Sequence, residues 1–130
     1  MMRYWRRIVM SNARVGVRWT IGDVHERGFE ALQLSICGAW KLFGPDARYL
    51  VCFNRVSLDR ALELTGKIPE TVEWREINGE VPGFIRSHLD SGMAEGVGWK
   101  FAPIRVFPDL HELALDNDCI LWEMPKAIRA

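Results

Sequence analysis

Arg48-Tyr49-Leu50-Val51-Cys52-Phe53-Asn54 holds an unbroken apolar run between polar ends. A strand with one wet face alternates apolar and polar residues, whereas a continuous run marks a strand buried on both faces of a parallel sheet. Upstream, Val15-Gly16-Val17-Arg18-Trp19-Thr20-Ile21 alternates with β-branched enrichment and is punctuated by Gly22-Asp23, which predicts a first strand. From His25 the period lengthens. Phe29, Leu32, Ile36, Trp40 and Phe43 recur every three or four residues, so a long helix with one apolar stripe is expected, ended by Gly44-Pro45. Downstream, Ser57 caps a short helix bearing Leu58, Ala61, Leu62 and Leu64, and Gly66 closes it. Thr71-Val72-Glu73-Trp74-Arg75-Glu76-Ile77 reads as a more exposed third strand at an edge. Strand, helix, strand, helix, strand implies right-handed crossovers and a three-layer α/β/α arrangement: a mostly parallel sheet with helices on both faces.

The second half is less regular. Residues 78–98 carry Gly79, Gly83, Gly92, Gly96, Gly98 and Pro82 around a small apolar island, and read as a mobile connection. Trp99 to Phe107 reads as a short helix with Pro103 tolerated in its first turn. Pro108-Asp109 then turns the chain into a fourth strand that ends in Asp116-Asn117-Asp118 and is followed by Cys119-Ile120-Leu121-Trp122.

With 130 residues, 48% of them hydrophobic, the chain is long enough for one core and too short for two. A single domain over 14–130 is expected behind a basic, frayed arm over 1–13, with a membrane-surface contact by that arm as the alternative. Arg3, Arg6, Arg7, Arg14 and Arg18 all precede the first acid, Asp23, so positions 23–130 hold twelve of the 17 basic side chains against all 17 acidic ones. A mildly acidic body argues against nucleic acid as a partner, because phosphate backbones need clustered Lys and Arg. Only Ile8-Val9-Met10 follows the first arginines, too short for a signal h-region, and no stretch reaches the length of a transmembrane segment. Cys37, Cys52 and Cys119 are odd in number and lack metal-ligand spacing, which reads as reduced core thiols in a cytoplasmic protein.

In an open parallel sheet, ligands bind beyond the carboxyl ends of the strands, where the strand order reverses. That rule gathers Thr20, Ile21 and Gly22, then Asn54 and Arg55, then Asp116 to Asp118. In extended backbone residues i and i+2 share a side, so Asp116 and Asp118 can converge on one point. Two carboxylates aimed together suit a divalent ion such as Mg2+, which uses one or two carboxylates plus substrate phosphates. Lys100 could reach those phosphates as a point charge. The competing reading is that Asp-Asn-Asp is a turn, for which all three residues are favoured, in a non-catalytic α/β binding or interaction module. An EF-hand fails, since Ile120 and Leu121 stand where a ligand and a glycine belong. No P-loop, dinucleotide fingerprint, Gly-x-Ser-x-Gly elbow or zinc spacing of His25, His88 and His111 occurs, and His111 falls at the far end of the fourth strand.

The run Val97-Gly98-Trp99-Lys100-Phe101-Ala102-Pro103-Ile104-Arg105-Val106-Phe107, through Asp109, Glu112 and Leu115 to Asp116-Asn117-Asp118-Cys119-Ile120-Leu121-Trp122, resembles the nucleotide-diphospho-sugar transferases of the GT-A fold, which are glycosyltransferases. The resemblance covers roughly residues 14–130. It implies a Rossmann-like sheet of the GT-A type and a donor site for a nucleotide-diphosphate sugar. It also implies Mn2+ or Mg2+ held mainly by Asp118, Asp116 contacting the ribose or sugar and sharing the metal, and Thr20 and Ile21 lining the base pocket. Members of that family continue well past Asp-x-Asp, where acceptor-binding loops and the base of inverting enzymes belong. The expectation is therefore a donor-binding half, truncated after the Asp-x-Asp strand, that does not transfer sugar unaided. An open flank on the fourth strand would then invite homo-oligomers through an exposed sheet edge.

Overall fold

A computed structural model describes residues 15–77, 105–124 and 126. Its order is β1 (Val15–Ile21), α1 (Glu26–Phe43), β2 (Arg48–Phe53), α2 (Leu58–Thr65), β3 (Val72–Glu76) and β4 (His111–Leu115). The four strands form one all-parallel sheet in the order β3-β2-β1-β4. The chain is thus an α/β protein with a Rossmann-like sheet.

Local chemistry sets the helix ends. The His25 side chain accepts the Arg27 N–H at the start of α1, and the Ser57 hydroxyl oxygen accepts the Arg60 N–H at the start of α2. Both helices stop at a glycine with positive φ, Gly44 at 73° and Gly66 at 80°, a conformation that Gly adopts at least cost. The Gly44 N–H closes onto the Trp40 carbonyl at 2.8 Å, and the Tyr49 hydroxyl donates to the Gly44 carbonyl at 2.6 Å. Burial pushes the Tyr49 phenol well above its ordinary range, so it stays a donor.

Alternation along the strands sorts side chains onto two faces. Val15, Val17, Trp19 and Ile21 of β1, with Tyr49, Val51 and Phe53 of β2, meet Phe29, Leu32, Ile36, Ala39 and Phe43 of α1 and Ala61 of α2 in one core. The helices also pack on each other. They share this face because β1, β2 and β3 step in one direction and right-handed crossovers then fall on one side. Fully burying each such side chain contributes about 1.5–3 kcal/mol, and Trp19, Tyr49, Phe29 and Phe43 are the largest of those fully buried. The expected three-layer arrangement is not what the described residues show: both helices lie on this one face, and among the described residues no helix covers the second. There Leu50, Cys52 and Phe107 cluster with Ile77, Val106 and Leu110.

The expected elements hold with ends shifted by a residue: β2 stops at Phe53, and β3 spans Val72–Glu76 at the exposed edge. The mobile connection, most of the expected helix, Lys100, His88 and the basic arm lie outside the described residues. The described end of that helix is corrected, since residues 105–107 are not helical. The Val106 and Phe107 N–H groups instead both donate to Glu112 Oε1, at 2.7 and 2.6 Å, so a carboxylate takes the place of helical carbonyls. The other Glu112 oxygen lies 3.8 Å from the Arg18 guanidinium, which is only 2% exposed. The three core thiols are also corrected. Cys52 alone is buried; Cys37, one step round α1 from Ile36, and Cys119, past β4, are exposed.

Phe107 lies over Gly16, with the Arg48 guanidinium 5.0 Å from the ring centroid on β2. A Cβ on residue 16 would stand closer than 3.0 Å to three atoms of that ring. Gly16→Ala should therefore destabilise the chain by about 1–3 kcal/mol in urea unfolding. Burial also raises the Cys52 thiol, so an aromatic disulfide reagent should titrate two thiols in the native chain, Cys37 and Cys119, and the third only on denaturation.

Candidate functional site at the carboxyl ends of the strands

Because β2 and β3 leave β1 on one side and β4 sits on the other, the strand order reverses between β1 and β4. The carboxyl-end gap there is where open α/β sheets bind ligands. Trp19 is registered with Leu115, so Asp116 follows directly where β4 leaves the sheet. On the other side of β1 the Asn54 N–H donates to the Ile21 carbonyl at 3.1 Å and carries the pairing one residue past β2.

The residues gathered here have distinct environments. Thr20 is 7% exposed on the second face, where its Oγ1 accepts an Arg18 N–H at 3.2 Å. Ile21 belongs to the core under α1, and Gly22 is buried. Asn54 is half-buried, and its Oδ1 accepts the Arg55 N–H at 2.9 Å. Asp116 and Asp118 are exposed and Asn117 half-buried.

The triplet forms a turn. The Cys119 N–H donates to the Asp116 carbonyl at 3.0 Å, the closing bond of a four-residue turn. The Asn117 amide donates to the Gly28 carbonyl in α1 at 3.0 Å, so this side chain is engaged by the helix. The following strap runs along α1. The Ser35 hydroxyl donates to the Cys119 carbonyl and accepts the Trp19 indole N–H at 2.8 Å, a relay from the core of β1 to the strap. A Cβ on Gly38 would meet Ile120 and the Leu121 carbonyl at 3.4 Å. Gly28, Ser35 and Gly38 recur on one flank of the helix and allow this close approach. The available signal was that stripe of small residues beside the apolar one, which marks a helix flank receiving backbone.

Among the described residues no three His, Cys, Asp or Glu side chains come together as a metal cluster. Two exposed carboxylates suit a hard cation only when substrate phosphates complete its shell. His25 serves as the α1 cap, and His111 stands at the amino end of β4, away from this rim. No described helix is long and apolar enough to cross a membrane.

Set against protein-family models, curated proteins and solved structures, the chain matches none. The functional reading therefore stands on fold and geometry.

Ser35 is fully buried and serves both Trp19 and the strap. Ser35→Ala leaves the indole N–H without its acceptor and should cost about 1–3 kcal/mol, measured as a lowered urea midpoint with the slope unchanged.

Proposed function

We propose that the chain binds a nucleotide-diphosphate sugar at the carboxyl rim between β1 and β4, through Mn2+ or Mg2+ held by Asp118 and Asp116. The observation that carries this reading is the all-parallel order β3-β2-β1-β4, with an acidic pair issuing from β4 at the reversal point beside β1. Both carboxylates are exposed and leave most of a metal's coordination to phosphate and water. With the Thr20 and Ile21 side chains turned into the two faces of the sheet, these residues border the ribose and base through backbone groups, together with Gly22 and Asn54. When bound, the metal supplies Lewis-acid stabilisation of the diphosphate as a leaving group, the chemistry that glycosyl transfer needs. The chain's own part in this proposal is donor binding.

A second reading is favoured by the bond closing Asp116 to Cys119 and by the Asn117–Gly28 contact. In it the triplet is only the turn that sends the strap over α1, in a non-catalytic binding or interaction module.

Thermal unfolding with uridine or guanosine diphosphate plus Mn2+ separates the two. A ligand at one hundred times its dissociation constant adds about 2.7 kcal/mol. The native chain should gain stability of that order, lose the gain in EDTA, and lose it in the double variant Asp116→Asn/Asp118→Asn, which keeps turn-forming side chains. An equal gain in the double variant, or none in the native chain, leaves the second reading standing.

A further inference from the structure

Two arginines follow the carboxyl end of β2, and the fold treats them differently. Arg60, in the first turn of α2, lies 3.5 Å from Glu26 and 3.3 Å from Glu63. Arg55 is exposed, and among the described residues no carboxylate pairs with it.

Its backbone is unusual as well. Arg55 has φ 61°, and it is the one described non-glycine residue with positive φ. That region is costly for a side chain with a Cβ, and Asn, Asp or Gly enter it more readily than Arg. The surroundings hold it there. Asn54 caps the Arg55 N–H with its side chain while its own N–H is bonded to the end of β1. Arg55, exposed and without an ion pair among the described residues, thus sits on strained backbone two residues past β2, at the carboxyl end of the sheet, the end at which open α/β sheets take ligands.

Neighbouring strands are about 4.8 Å apart and β2 runs two residues further along β1 than β4 does, so the ends of β2 and β4 are separated by roughly 12 Å. One nucleoside diphosphate can span that gap. The planar guanidinium pairs with two phosphate oxygens at once, which an ammonium cannot do.

We propose that Arg55 is a metal-independent anchor for the diphosphate of the ligand, gripping it from the β2 side of the rim. This rests on the nucleotide-binding reading above.

The test is calorimetric titration of the full chain with uridine diphosphate and with inorganic pyrophosphate, each in Mn2+ and in EDTA. Arg55→Gln should weaken both probes about tenfold or more in either medium. Arg55→Lys should fall between, keeping the charge and losing the fork. Asp116→Asn/Asp118→Asn should lose only the increment due to Mn2+. Arg55→Gly should bind as weakly as Arg55→Gln while its Tm equals or exceeds that of the native chain, because glycine relieves the positive φ. Unchanged binding by Arg55→Gln, or a loss confined to uridine diphosphate with pyrophosphate unaffected, overturns the assignment of Arg55 while nucleotide binding stands. A native chain that binds neither probe overturns both.

Discussion

The two hydrogen-bonded edges of β1 fix the position of nearly everything else. One edge takes β2 from Gly16 to Ile21, and the other takes β4 from Val15 to Trp19, so the strand is buried along its whole length. A one-residue slip on either edge would turn the paired strand over, moving Val51 or Leu115 out of the core. Parallel pairing puts Asn54, Gly22 and Asp116 at one end of the sheet, and the register sets their relative levels.

The faces of β1 divide the labour. Trp19 and its neighbours supply the apolar contact with α1, and the buried hydroxyl of Ser35 joins indole to strap. The opposite face carries Arg18, whose burial is balanced by Thr20 and Glu112. A buried ion pair by itself adds little stability because desolvation offsets the attraction. Glu112 has a second task in capping two backbone amides, and it thereby fixes where residues 105–107 meet the sheet.

The acidic turn unites the structural and functional readings. Its backbone and Asn117 are engaged with Cys119 and Gly28, which locks the loop against α1. The carboxylates of Asp116 and Asp118 stand on that locked loop and remain exposed. A hydrogen-bonded backbone beneath exposed acidic residues suits a turn, and it equally suits a preorganised pair of ligands.

The sequence by itself determined β1, α1, β2, α2 and β3 almost to the residue, while the strand order that puts β4 on the far side of β1 came from the tertiary structure. Those elements rest on local physics: alternation, the helical period, Ser57 as a cap, and Gly44 and Gly66 at helix ends. The unbroken run Tyr49 to Phe53 is apolar because both faces of β2 are covered. Only the tertiary structure decided that Thr20 bonds Arg18, that Glu112 replaces a helix turn at Val106 and Phe107, and that Cys37 and Cys119 lie outside the core. It also decided that the segment after β4 folds back on α1. The Ser35–Cys119 and Gly28–Asn117 bonds join residues 84 and 89 positions apart, and no local pattern encodes such a pairing until the sheet has brought both ends to one helix.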